Sequence, residues 1–378
     1  MGRRGIVYVV SLGLAVLLSV FGATLLLRSV SELGQSTRFT IQTAALHHAE
    51  AAVDQAIRNL RNGTSSNIST TTLPGGTYWA ELAPLGTQMQ RITAHGSAGS
   101  DQRNLDVIIK LTPESVFQYA LFGDQKIVVS GSADTDSYDS RLPGGYSSQT
   151  AGGNGGAGTN ATSSGGVTVS GSVGINGQVV VGPTGNPNSV VTITGGGGIT
   201  ITGNPKIVAQ SQALPLASVK VPEELTCNDY TVSDDTTITL SSDQGTYCFR
   251  NLTVSGGGTL TADGPVTVYL TGELRASGNT LIGVVNNPRT MLFLVAAAAG
   301  TTLGTTGGGS ITGNSTFYGA LYGPGAEFDV TGSAEIFGSV IAKRVDLSGS
   351  AKIHYDEALT TLPVGSTYQT SIVLWREI

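Results

Sequence analysis

Charge is scarce in this sequence. Asp, Glu, Lys and Arg make up 12% of it, and no Lys/Arg cluster exists beyond Arg3 and Arg4. Phosphate binding needs a concentrated positive surface, so a nucleic-acid partner is disfavoured. Cysteine is scarcer: Cys227 and Cys248 are the only two, too few for a zinc site on their own. No phosphate-binding loop, zinc-binding helix or nucleophile elbow is present. Helical periodicity nearly vanishes after Phe117. Glycine, by contrast, is abundant, at 53 of 378 residues, and it punctuates short β-branched runs. With 39% hydrophobic residues the composition is not that of a disordered chain, and glycines without a three-residue period exclude collagen. The pattern reads as many short strands joined by tight turns. Residues 1–112 hold nine Lys/Arg against six Asp/Glu, and residues 113–378 eleven against twenty.

The opening MGRRGIVYVVSLGLAVLLSVFGATLLLRS holds an uncharged run of 23 residues from Gly5 to Leu27. A helix of that length covers a hydrocarbon core of roughly 30 Å. The run is too long for a signal-peptide core, and no small-x-small site ends it cleanly. Arg3 and Arg4 before the run place the N-terminus in the cytoplasm and the rest of the chain outside. From Arg28 to Arg61 there is no proline and only one glycine, Gly34, so a single helix is expected from about Ile6 to Arg61, stopped by Asn62-Gly63.

A short basic leader ending in Gly5, directly before an apolar helix, resembles the start of a type IV pilin-like protein. The segment Ala44 to Ile57, AALHHAEAAVDQAI, is similar to the alanine-rich stretch of PilX-type minor pilins. The resemblance implies prepilin peptidase cleavage between Gly5 and Ile6, and other pilin-like subunits as partners. Major pilins carry a glutamate five residues after the cut; here Val10 stands there, which favours a minor component. A plain membrane anchor with a helical stalk is the alternative.

Residues 64–112 carry strand-like runs at Thr77–Leu82, Met89–Ala94 and Leu105–Leu111. A small antiparallel sheet of this kind can pack on the second half of the helix. Tyr78 and Trp79 read as packing residues.

From about Phe117 to Tyr355 runs such as Val190-Val-Thr-Ile-Thr-Gly195 and Val266-Thr-Val-Tyr-Leu-Thr-Gly272 alternate with period two. Gly313-Asn-Ser-Thr-Phe-Tyr-Gly319, Gly332-Ser-Ala-Glu-Ile-Phe-Gly338 and Gly349-Ser-Ala-Lys-Ile-His-Tyr355 align without gaps, and Gly131-Ser-Ala is a fainter copy. Their starts lie 19 and 17 residues apart, a period that suits one coil of a parallel β-helix. Phe317, Ile336 and Ile353 would then point inward. Phe317–Leu359 and Ile127–Ser140 also resemble the β-helical domain attached to PilX-type N-termini. Glu114–Phe122 is expected to cap one end, and Tyr368–Trp375 to pair at the other end or return to the small sheet. Gly152–Gly166 reads as a flexible loop, Ala213–Glu224 as irregular chain crossing the surface, and Thr290–Ala299 as a buried strand.

Parallel β-helices also host polysaccharide lyases and hydrolases, which need paired carboxylates or a calcium-held substrate. Asp134, Asp136 and Asp139 could offer oxygen ligands to calcium, but the full loop signature is missing, and a solvated turn is the preferred reading. His354 and Asp356 suggest acid-base work or, preferably, hydrogen-bonded capping of the last repeat. His47, His48 and Glu50 lack metal-binding spacing and read as surface. Cys227 and Cys248, about one coil apart, are expected to form a disulfide outside the cytoplasm, with two free buried thiols as the other option.

The expected fold is mainly β: a leader (1–5), a transmembrane and stalk helix (6–63, membrane part 6–27), a small sheet (64–112), a parallel β-helix (113–357) and a C-terminal strand or tail (358–378). The expected role is a non-catalytic minor pilin-like component of the inner membrane or an extracellular filament. It has no cofactor beyond a calcium candidate, and surface carbohydrate is a candidate partner. The alternatives are a surface-anchored carbohydrate-active enzyme and a static anchored structural protein.

Overall fold

A computed structural model describes residues 3–61, 64–86, 88–113, 115–195, 198–296, 307–364 and 368–378. The expected stop at Asn62-Gly63 and the end of the Thr290–Ala299 run lie outside these residues. The protein is mainly β, with a long N-terminal helix and a small antiparallel sheet. It divides into two units, one of Met1–Pro113 with Ser366–Ile378, the other Glu114–Gly365.

In the first unit, helix α1 (Arg3–Arg61) runs unbroken, as a stretch free of proline allows. Arg58 and Arg61 in its last turn suit the negative end of the helix dipole. Four strands follow: β1 (Ile68–Leu73), β2 (Gly76–Pro84), β3 (Met89–Ala98) and β4 (Asp101–Pro113). The C-terminal strand Tyr368–Glu377 completes an antiparallel sheet in the order β1-β2-β3-β4-C-terminal strand. The tail thus returns to the small sheet, and β1 is a strand the alternation did not mark.

The alanine segment of α1 explains the packing. Ala45, Ala49, Ala52 and Ala56 share one face and are fully buried, with Val53 and Leu60 beside them. They meet Ile92, Ala94, Leu105, Val107 and Ile109 of the sheet. Small side chains let the backbones approach closely at Gly96, where a β-carbon would lie 2.2 Å from both Ala45 O and Ala49 N. His48, expected at the surface, is buried here instead and bonds to Ser97 O at 2.7 Å. Tyr78 packs as expected, its hydroxyl donating to Gln55 Oε1 at 2.7 Å.

In the second unit the strand pairs are parallel, apart from an isolated antiparallel bridge between Ser137 and Gly152. One stack of neighbours runs Asn228–Val232, Thr246–Ser255, Glu273–Ser277, Gly308–Ile311, then the later parts of Thr316–Val330 and Glu335–Leu347. The next neighbour is earlier in sequence: Leu121–Val129, followed by Val167–Ser170 and Val191–Thr194. The chain therefore enters mid-stack, builds to one end, crosses back and builds from the far end until it meets its own beginning. Glu114–Phe122 is expected to cap one end, but its last residues, Leu121 and Phe122, begin a strand that is paired on both sides. Gly152–Gly166 also departs from expectation, since Ala157–Thr159 is a buried strand paired with Leu121–Gly123. Its low complexity has a packing reason: a β-carbon on Gly158 would lie 2.7 Å from the Phe122 ring.

The glycine of each repeat stacks on the glycine of the next. Gly313, Gly332, Gly349 and Gly131 all have φ between 73° and 78°, the left-handed corner glycine tolerates. A β-carbon on Gly131 would lie 2.6 Å from Gly349 O, so the faint fourth copy is the spatial neighbour of the third. Phe317, Ile336 and Ile353 point inward and are fully buried. The crossing segment is irregular, as expected. It lays Leu214, Leu216 and Val219 against Leu294, Tyr322 and Ile341, and Tyr322 donates to Ala217 O at 2.6 Å. Cys227 and Cys248 form a disulfide with their Cα atoms 4.7 Å apart, where the segment joins the stack.

Candidate functional site

Two surfaces stand out. The first is the N-terminal part of α1. Leu12, Leu14, Val16, Leu17, Leu18, Val20, Phe21, Leu25, Leu26, Leu27, Val30, Leu33 and Phe39 are all exposed, on every side of the helix. A helix apolar all round needs lipid or other helices around it. Two of its hydroxyls are satisfied within it: Ser19 Oγ donates to Val16 O and Thr24 Oγ1 to Phe21 O, both at 2.8 Å. The helix is long and apolar enough to cross a membrane. Gly5 and Ile6 lie in its first turns.

The second surface is on the large unit, where the stack closes. Asp134 and Asp136 lie on the outward side of Asp134–Tyr138, which pairs with Lys352–Asp356. Asp136 accepts from His354 Nδ1 at 2.7 Å and from the Tyr146 hydroxyl at 2.7 Å. The His354 ring lies between Phe337 at 4.7 Å and Tyr146 at 3.9 Å. Burial, then the bond to Asp136, pushes the Tyr146 phenol up, and burial does the same to Tyr138. Asp139 is held by Arg141 through bonds of 2.7 and 2.6 Å, and these bonds lower its carboxyl below the usual range. Asp136 and Asp139 thus have separate partners, and the described residues contain no cluster of three or more metal-ligating side chains. Asp356 is fully buried. It accepts from Ser140 N at 2.9 Å, Ser140 Oγ at 2.7 Å and Ala358 N at 3.1 Å; the last bond caps the short helix Glu357–Thr361 and not an end of the stack, because Lys352–Asp356 pairs onward with Asp134–Tyr138. His354 makes its hydrogen bond to Asp136 from within the aromatic cluster. His47 stays exposed against Glu50 at 2.9 Å.

Beside this cluster a polar cleft of about 570 Å³ opens, lined by Tyr119, Arg141, Asn154, Gln178, Asn204 and Glu357 among others. These side chains come from separate turns of the stack, so no local motif marks them. Glu357 Oε1 accepts from Ser137 Oγ and Asn154 Nδ2, both at 2.9 Å. Gln178 Nε2 donates to Pro205 O at 3.0 Å.

Residues 227–362 match a family described as a domain of unknown function (DUF7305). The match begins at the disulfide's first cysteine and covers the later-built part of the stack. No curated protein matches the sequence. Among solved structures, the chain is similar to the competence-associated pilin ComZ from Thermus thermophilus at 13% identity and a TM-score of 0.26, covering 90% of this chain and 98% of that one. It is also similar to a Shewanella frigidimarina ice-binding protein DUF3494 domain at 16% identity and a TM-score of 0.28, covering 65% of this chain and 98% of that one. Identities and scores this low do not assign a function.

Proposed function

We propose that this chain is a non-catalytic minor pilin-like component of a type IV pilus or related filament. One observation carries the reading: α1 is a single helix with two environments. Its first part exposes apolar side chains all round, and its second part buries an alanine face against a small sheet. In the membrane, lipid surrounds the first part. In a filament, the equivalent helices of neighbouring subunits replace lipid around the same side chains.

Under this reading prepilin peptidase cuts between Gly5 and Ile6, and Arg3 and Arg4 keep the N-terminus cytoplasmic before the cut. The large unit is then a parallel β-helix displayed outside, for assembly, adhesion or surface contact. The disulfide supports an oxidising location. The non-catalytic reading draws support from Asp136 and Asp139, whose carboxylates are committed to protein partners.

Mass spectrometry of the mature N-terminus in membrane fractions, with and without the prepilin peptidase, tests this. A peptidase-dependent start at Ile6 is expected. An intact Met1 or Gly2 in both strains would leave a static anchored protein, and a start near Thr24 a secreted one.

A further inference from the structure

We propose that the cleft at Asn154, Gln178 and Asn204 binds a neutral oligosaccharide. The inference rests on the outward display proposed above and gives the displayed unit a ligand class.

The chemistry of the lining selects the class. Charge in the cleft is internally matched. Arg141 is held by Asp139, and Glu357 accepts two bonds from Ser137 and Asn154. An acidic sugar or a phosphate would find no uncommitted cation among the described lining residues. What remains is amide: the Asn204 side chain, Asn154 Oδ1 and Gln178 Oε1 have no partner among the described residues. Amides offer both donors and acceptors, which suits hydroxyl groups that need both. Gln178 is already oriented by its bond to Pro205 O, so little freedom is lost on binding. Tyr119, half-buried against Phe122 at 5.5 Å, adds an aromatic wall for the apolar face of a sugar ring.

The floor is rigid and bare. A β-carbon on Gly156 would lie 2.7 Å from Gln178 O, and one on Gly203 2.5 Å from Gln178 Cγ. No side chain can grow there. Backbone bonds tie these turns together, with Ala157 N donating to Gln178 O at 3.0 Å and Gly203 N to Gly177 O at 2.9 Å. Neighbouring strands in such a stack lie about 4.8 Å apart, so Asn154, Gln178 and Asn204 spread along a groove rather than around a point. A linear chain of sugars fits that arrangement better than a compact metabolite.

Gly153 gives a clean block. It lines the cleft, and a β-carbon on it meets nothing within 4 Å. The purified full chain in detergent would be titrated calorimetrically with maltohexaose, cellohexaose, mannohexaose and an acidic oligogalacturonate. At least one neutral hexaose should bind. Gly153→Trp and Asn204→Ala should each weaken it by about tenfold or more, with unchanged melting temperature. The proposal is overturned if no neutral hexaose binds, if only the oligogalacturonate binds, or if both variants bind as the parent does. The N-terminal measurement separates this from the filament reading. Processing at Ile6 without sugar binding overturns the cleft alone, and binding by an unprocessed chain overturns the filament alone.

Discussion

Asp136 and His354 lie 218 positions apart in sequence and 2.7 Å apart in space. The carboxylate can only accept, so His354 Nδ1 carries the hydrogen. The bond crosses the seam where the last turn of the large unit meets the first.

Loss of this bond should open the seam before the rest of the stack. Asp136→Asn keeps the shape but weakens the acceptor for two donors, and an expected cost is about 1–3 kcal/mol. His354→Ala also leaves a gap between Phe337 and Tyr146. Denaturant unfolding gives the total. Hydrogen exchange locates it, with faster exchange expected at 121–138 and 339–356 than at 228–282. Uniform acceleration would contradict a seam.

The small sheet should be acid-sensitive through Asp106. This fully buried carboxylate on β4 accepts from Arg91 at 2.6 and 2.8 Å and from Arg376 at 2.7 and 2.9 Å. Hydrogen bonds from Arg91, opposed by burial and joined by those from Arg376, hold its pKa at about 2, below the ordinary 3.8. A folded value below the unfolded one means the stabilisation is complete above the unfolded value. It fades as pH falls from there through the folded one. Circular dichroism of thermal unfolding between pH 6 and 2 should show this loss, and Asp106→Asn should be less stable at pH 7 with a flatter profile.

Gly96→Val should push α1 off the sheet. The contacts at 2.2 Å are to helix backbone, which no rotamer change relieves. A cost of at least about 2 kcal/mol is expected, measured on the full chain in detergent. Gly34→Val, with nothing within 4 Å, is the control that should leave the sheet intact.

Reduction should loosen the end of the stack at Asn228–Val232. The disulfide closes a separation of 21 residues, worth about 3 kcal/mol in a chain-entropy account. Cys227→Ser with Cys248→Ser should lower the unfolding midpoint and speed exchange at 228–240, while 167–194 at the opposite end stays protected.

Much of this architecture was legible. The helix showed in what its first residues lack, and the inward Phe317, Ile336 and Ile353 showed in the aligned repeats. The order of the stack did not show. Repeats reveal which segments are alike, but not which of two like neighbours each one touches, so Gly131-Ser-Ala reads as a fainter copy with no place in the order. The stretch Asp134–Tyr138, which reads as part of a solvated turn, is a strand for a related reason: its partner Lys352–Asp356 is distant in sequence. Alternation puts Asp134 and Asp136 on one side of a strand, but only the fold brings His354 and Tyr146 to claim one of them. The cleft draws its side chains from separate turns, so no spacing rule could find it.

In the sheet register Pro113 stands opposite Tyr368, and the whole large unit departs and returns between these two positions. Ser115 Oγ donates to Leu359 O at 2.7 Å, so the unit's own entry and exit are also side by side. An excursion that begins and ends at one cross-strand pair is a detachable cassette. A two-residue turn could close the same hairpin, and an unrelated cargo with adjacent ends could be spliced in its place without re-registering a single strand of the host sheet.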